Sequence, residues 1–485
     1  MQWWVLRRKV HASWLIALLS FGFLAGVFLA RDIGRSYTLS SWLLVPTLSL
    51  VTIMVYRQRI YVIPFLLVGG LLLGLWRGTV AQTDLAQIHV FYDQEVTIQG
   101  KVLEDVDIGT GGQLIIRLGN LVVENQAMVG NLWITATSGD MKRSDTITVK
   151  GSLKEGFGNF VGTMYRARVN QVIHPQPGDI ARVVRDWFAE AIRAVTPEPE
   201  ASLGIGYLVG QRRALPPDLN ESLRIAGLMH VVVASGYNLT ILVRFTRRLF
   251  VKVSKYLSAV TAGTMILSFI AVTGISPSMS RAGLVAGLSL AAWYYGRRFH
   301  PVVLLLFVAA LTVLVNPSYA WGDLGWQLSF AAFAGVMILA PLLQRYFFGD
   351  KKPGAIRQVM GETFSAQVAT APLLIMSFGQ FSNIAVVANM LVLPLIPIAM
   401  ILTFVTGVGS LILPQLAAEL ISLPATWLLH YMVGVAEYTA NLPWAVTEVA
   451  LTSSGVAICY GAIGIACLYM IKATSFRLRE SNIVE

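Results

Sequence analysis

The stretch NIAVVANMLVLPLIPIAMILTFVTGVGSLIL, residues 383–413, carries no charged residue along its whole length. As continuous helix it would run about 46 Å, well beyond a hydrocarbon core of about 30 Å. Pro394 and Pro397 lie inside it, and proline removes a backbone donor and clashes with the preceding turn. The stretch reads as a membrane segment broken at its prolines, the freed backbone groups facing a polar cavity. A single span kinked by proline, or two spans with the C-terminus flipped, are the alternatives.

Working outward, the same character recurs. Hydrophobic residues make up 55% of the 485 and charged residues 13%, with a mean hydropathy of +0.64. One soluble core cannot hide that much apolar surface, so lipid serves as solvent for much of the chain. Apolar runs lie at about 13–30, 39–56 and 59–76, then at 228–243, 256–273, 279–295, 301–315, 324–343, 361–380, 383–413, 417–440 and 449–471. Arg7, Arg8 and Lys9 precede the first run, which reads as an uncleaved span. Basic residues follow alternate runs later on: Arg244 to Lys255, Arg297 and Arg298, Arg345 to Arg357, and Lys472 to Arg479. Placed on the cytoplasmic side, they close a count of twelve spans with both termini cytoplasmic, and they account for much of the net charge of +11.

Between about Gln82 and Pro177 no run is long enough to span. Short alternating patterns appear instead, at Val96–Ile98, Leu114–Leu118, Leu132–Ile134, Ile147–Val149 and Tyr165–Val169, separated by Gly and Asp clusters. This spacing predicts a small extracytoplasmic β-barrel. Residues 179–195 then keep an apolar face with Arg182, Arg185, Asp186, Glu190 and Arg193 opposite, an amphipathic helix on the membrane or on the bundle. The expected fold is a polytopic α-helical membrane protein with a small OB-like β domain. Its parts are membrane helices over 1–78, the β domain over 79–178, juxtamembrane helices over 179–227, a bundle over 228–474 and a cytoplasmic tail over 475–485.

Polar groups inside apolar runs are costly and mark functional positions. His230, Ser235, Gly236, Asn238 and Thr240 interrupt one run, and helix-packing contacts are the alternative reading there. Arg281 edges another; its guanidinium suits a phosphate, and snorkelling to the surface is equally open. Gln327, Ser329, Gln367 and Asn389 complete the candidate path, while His430 and Glu437 share one helix face as a polar pair or a proton relay. The histidines at positions 11, 89, 174, 230, 300 and 430 are too scattered for a metal motif, and no phosphate-binding Gly-rich loop or Gly-x-Ser-x-Gly elbow occurs. No cofactor, metal or enzymatic activity is expected. Cys459 and Cys467 lie about 12 Å apart along a helix, too far to pair.

These pieces together resemble the ComEC family of competence DNA channels. The resemblance is carried by Gly206-Tyr-Leu-Val-Gly210-Gln-Arg212, Gly227-Leu-Met-His230 through Ser235-Gly236, Ser276-Pro277 through Arg281-Ala282-Gly283, Asn316-Pro317, Gly325-Trp-Gln327-Leu-Ser329-Phe330, Ala371-Pro372, Phe378, and Asn389 with Pro394. It implies passage of single-stranded DNA through the bundle across a bacterial cytoplasmic membrane, with the OB-type domain holding the strand. Membrane lipid, an extracytoplasmic DNA receptor, a separate strand-degrading nuclease and a cytoplasmic helicase or single-strand-binding proteins are the implied partners. Two departures stand out. The His-x-His-x-Asp-His motif of the nuclease domain many members carry is missing, and Asn238 stands where the family pattern usually has a second histidine. Asn keeps hydrogen bonding but does not titrate near neutrality.

The β domain itself is not basic. Thr79 to Gly178 holds ten acidic and eight basic residues, whereas sequence-independent DNA binders are usually positive. Lys142, Arg143, Lys150 and Lys154 are the candidate local patch, with Trp133, Phe157, Phe160 and Tyr165 as candidate stacking faces.

Overall fold

The computed structural model describes residues 11–33, 44–57, 62–109, 111–211, 215–232, 235–274, 276–297, 300–349 and 353–476. Arg7 to Lys9, Arg59, Arg212, Arg298, Lys351, Lys352 and the tail beyond residue 476 lie outside them.

Three helices open the chain: α1 (Ala12–Ile33), α2 (Leu44–Arg57) and α3 (Val62–Ala86). The last continues past the expected boundary at 78, because Gly78 to Ala86 offers no breaker and leads into a 3-10 turn over Gln87–Phe91. Eight strands follow: β1 (Glu95–Val102), β2 (Asp107–Ile108), β3 (Leu114–Val123), β4 (Gln126–Met128), β5 (Asn131–Ala136), β6 (Thr146–Glu155), β7 (Phe160–Met164) and β8 (Arg168–Ile173). The order is β1-β3-β5-β7-β6-β8, and β6 pairs a second time with β1, so the ladder returns to its first strand. β5 and β7 run parallel while the other neighbours are antiparallel. Alternation sends Ile98, Ile116, Leu118, Leu132, Ile134, Ile147, Val149 and Met164 into a common core. The odd-numbered neighbours Arg117 and Trp133 therefore point outward.

The helical part continues with α4 (Ile180–Arg193), α5 (Glu200–Val209), α6 (Pro217–Ile225), α7 (Met229–Val232), α8 (Gly236–Phe250), α9 (Lys255–Thr273), α10 (Pro277–Tyr294), α11 (Pro301–Val315), α12 (Ser318–Gly322), α13 (Leu324–Ala334), α14 (Ala340–Phe348) and α15 (Ala355–Phe378). A short ladder of β9 (Gln380–Ser382) and β10 (Val446–Glu448) brackets α16 (Ala385–Val392), α17 (Ile396–Ile412) and α18 (Gln415–Ala440), and α19 (Ser453–Thr474) ends the described chain. The opening stretch does break, at a 3-10 turn over Leu393–Leu395 that contains Pro394. Among the described residues seven helical segments are long and apolar enough to cross a membrane, fewer than the twelve runs in the sequence. α2, α8, α10, α11 and α15 are too short or too polar to join them; α8, for instance, takes Arg244, Arg247 and Arg248 into the helix rather than leaving them beyond its end.

α5 is the central element. Every residue from Glu200 to Val209 is buried, although the helix is only 10 residues long. It packs into the largest apolar cluster with α16, α17 and α18, where Ala388, Val392, Ile396, Ala399, Leu429 and Val433 meet it.

Candidate nucleic-acid interface

The β domain is fastened to the helices from both sides. Arg143, 5% exposed, leaves the β5–β6 turn and donates from Nε to Asp179 at 2.8 Å. Its terminal nitrogens donate to the Val272 and Ala271 carbonyls at 3.0 and 3.1 Å, in the last turn of α9. Those carbonyls are free because a helix C-terminus leaves its last four without intrahelical donors. In the opposite direction Arg185 of α4 grips Asp105 of the β domain at 2.6 and 3.1 Å. A third contact joins Asn159 Nδ2 to Asp323 Oδ2 at 3.0 Å, beside Gly158 and Gly322. A Cβ on Gly322 would fall 1.9 Å from the Gly158 carbonyl oxygen, so only glycine fits this crossing. Burial would raise the Asp179 carboxyl, but the Arg143 guanidinium and the Arg182 N–H outweigh it and hold Asp179 below the usual carboxylate range. Burial likewise works against the charge of Arg185, and Asp105 with Asp186 more than restores it.

These contacts set one outer face of the β domain against the helix ends. Strand register places Arg117, Trp133, Thr163 and Lys154 in one row across β3, β5, β7 and β6. The Arg117 guanidinium lies 5.3 Å from the Trp133 ring centre. Phe157 and Phe160 meet Trp133 edge-on at 5.4 Å each, and Phe157 is half exposed. Arg117 also donates to Glu104 at 3.0 Å and Asp107 at 2.9 Å. A cleft between the domain and the helices is lined by Glu104, Asp107, Arg117, Gly210, Gly274 and Ser276.

Of the basic patch expected from sequence, Lys154 joins the Trp133 row. Lys150 faces Glu95 on the β1 side at 3.8 Å, and Lys142 sits exposed in the β5–β6 turn near Asp140. Arg143 is corrected most: its neighbour in sequence is on the surface, but its own side chain is buried and fully engaged, so it is not available to a strand. Tyr165 is exposed away from the aromatic trio.

The bundle residues form three groups. Arg281, 3% exposed, donates from Nη2 to the Gly325 carbonyl at 2.9 Å and lies 5.6 Å from the Phe330 ring centre. Its Nε and Nη1 have no partner. Tyr319 lies within electrostatic reach of Arg281, Asp323 and Glu104, which links this group to the cleft. Gln327 is half-buried, with a bond at the limit, 3.5 Å, to Ala320, and Ser329 is half-buried beside it. In the second group Ser235 caps α8 and donates to Asn238, and fully buried Asn238 donates to the Tyr207 carbonyl of α5 at 3.0 Å. Ser235 and Asn238 therefore satisfy each other and a neighbouring helix, against the expectation of free polar groups. Gly236 packs on Ala282 of α10, where a Cβ would sit at 3.2 Å. In the third group the His230 Nδ1–H donates to the Gly227 carbonyl at 2.9 Å, and the side chain is exposed. Gly227, in a left-handed conformation, presses on Ala385, one turn from buried Asn389, whose Oδ1 has no partner. Gln367 donates to Ser382, and Ser382 to Ile225.

Sequence reasoning missed Arg117, Asp323 and the Glu200–His430 pair. His430 Nδ1 bonds Glu200 at 2.7 Å, not Glu437 on its own helix. Arg117 alone left a signal, a charge at an outward position of an apolar strand.

The competence protein family profile matches residues 207–473. The chain belongs to the competence protein family. The matched range takes in all three groups of bundle residues and the helix side of the cleft, Gly210, Gly274 and Ser276, and five of the seven helical segments long and apolar enough to cross a membrane begin within it. ComE operon protein 3 of Bacillus subtilis is 27% identical over 217 residues, 43% of this chain and 27% of that protein. An uncharacterised protein of Aquifex aeolicus is 28% identical over 287 residues, 56% of this chain and 65% of that one. The chain thus spans about a quarter and about two thirds of these relatives. No solved structure matches it.

Proposed function

We propose that this competence protein passes single-stranded DNA across the bacterial cytoplasmic membrane during natural transformation. The observation that carries this reading is the Arg117–Trp133 pair with Phe157 and Phe160, set on the β-domain face that abuts the α12–α13 turn. Aromatic faces stack bases without regard to sequence, at about 1–3 kcal/mol per base, and an adjacent guanidinium binds phosphate. In this reading the returning strand ladder is an OB-type barrel, since its order and its one parallel pair match that layout. In this reading the ends of α9 and α12 and the start of α13, which meet the β domain, lie on its extracytoplasmic side, and both termini are taken as cytoplasmic.

A strand leaving the aromatic row next meets Arg281, whose two unpartnered nitrogens suit a phosphodiester, and then the faces bearing Gln327, Ser329, His230, Gln367 and Asn389. Membrane potential opposes anion entry by about 2.3 kcal/mol per charge per 100 mV. Inward movement therefore needs a cytoplasmic helicase or strand-binding proteins, with a separate nuclease and an extracytoplasmic receptor supplying the strand.

One observation favours a second reading, a non-conducting scaffold or a carrier for another anion. Ser235, Asn238 and Tyr207 close on each other, so conduction requires α5 and α8 to part. The deciding experiment places Trp133→Ala with Phe157→Ala, and separately Arg281→Gln, in a naturally competent host. Conduction predicts that labelled DNA still reaches the cell surface while cytoplasmic entry falls at least tenfold. Undiminished transformation by both variants removes the reading.

A further inference from the structure

We propose that Glu104 and Asp107 occupy on Arg117 the place that a phosphodiester of bound single-stranded DNA takes, so that the β-domain surface is self-inhibited until a strand displaces them. This rests on the reading of that surface as a nucleic-acid platform.

Glu104 Oε2 and Asp107 Oδ2 meet the two terminal nitrogens of Arg117 at 3.0 and 2.9 Å. Two oxygens on one guanidinium edge are what the non-bridging oxygens of a phosphate present. All three side chains line the cleft that opens toward Ser276 at the start of α10. They are reachable from water: the side chains of Arg117, Glu104 and Asp107 are 18%, 36% and 25% exposed. Pairs of that exposure are worth little and exchange partners readily. The contrast with the other arginines is sharp. Arg143 is 5% and Arg185 2% exposed in their pairs, and both bind domain to bundle. Asp105, between the two acids in sequence, is held by Arg185 and anchors the loop at its centre. Displacing Glu104 and Asp107 therefore leaves the docking intact. Arg117 stays oriented after release because it packs over Trp133. Self-masking also gives a physical account of why a nucleic-acid surface belongs to a domain whose acidic residues outnumber its basic ones, ten to eight over residues 79–178.

The test uses the full chain in lipid nanodiscs and a fluorescent oligothymidine, with anisotropy read across a salt series. Glu104→Gln with Asp107→Asn should bind about tenfold tighter, one charge-assisted phosphate contact being gained. The salt dependence should steepen by about 0.7 in log–log slope, the value for one more phosphate on a single strand. Adding Arg117→Gln to the double variant should cancel both changes, because the guanidinium that the acids mask is then gone. Thermal unfolding checks that each variant is folded. If the double variant matches wild type in affinity and slope while Trp133→Ala still weakens binding, the acids are structural and self-inhibition is overturned with the platform reading intact. If neither wild type nor the double variant binds the oligonucleotide, both ideas fall.

Discussion

Replacing Arg143 with alanine tests the assembly of domain and bundle most directly. The side chain supplies three hydrogen bonds, one to the Asp179 carboxylate and two to α9 carbonyls, with Arg143 5% and Asp179 16% exposed. Removing one partner of a buried ion pair costs about 3–5 kcal/mol. Asp179 keeps some water and retains its bond from the Arg182 N–H, which argues for the lower end. The released carbonyls also end a helix, where water can reach them, so their loss adds little. About 3 kcal/mol corresponds to an opening equilibrium roughly a hundredfold larger. Hydrogen exchange by mass spectrometry on the chain in nanodiscs should show that increase in two places, the β5–β6 turn at 138–146 and the end of α9 at 266–274. Lys142→Ala, one residue away but exposed, should change neither. Equal protection in Arg143→Ala, Lys142→Ala and wild type would refute the idea that Arg143 fastens the domain.

Acid should weaken the same junction. Asp179 has a lowered pKa, so its contribution is complete above the usual carboxylate range, and it fades as pH falls through the lowered value; exchange at 266–274 should rise there in wild type but not in Asp179→Asn. Gly322→Ala drives a methyl group into the Gly158 carbonyl and should lower the midpoint of thermal unfolding by several degrees, with Gly325→Ala, which meets only the Asp323 side chain at 3.1 Å, much milder. Arg281→Met removes a buried cation with two unpartnered nitrogens, each costing about 1–3 kcal/mol, and should raise the unfolding midpoint while transformation collapses. A destabilised Arg281→Met protein would argue that the arginine is there for packing.

Much of the architecture is legible because the bilayer imposes it. Long apolar runs and the proline break at Leu393–Leu395 follow from the sequence, and so do the β strands, whose alternation has a period of two. What escapes is whatever depends on pairing across distance. α5 is shorter than a span and reads as a juxtamembrane helix, yet 10 successive residues are buried because α17, α18, α4 and α7 pack around it. Glu200 and His430 are 230 residues apart, so no local pattern announces their bond. Sequence proximity also misleads in the basic patch: Lys142 and Arg143 leave one turn in opposite directions, one to water and one between helices. The motif residues fall in three groups, and Asn238 and Ser235 are spent on α5 and α8, which hydropathy cannot reveal.

The reciprocal grip of Arg143 and Arg185 carries a consequence for protein engineering and for descent. Each arginine belongs to one body and bonds a carboxylate of the other, and Arg185 alone keeps a second acid, Asp186, on its own helix. A chimera that exchanges only the β domain with a relative would strand buried ions on both sides of the seam. A working graft has to carry residues 179–186, the α9–α10 turn and the Gly322–Asp323 corner with it, and lineages should inherit these distant segments as one unit.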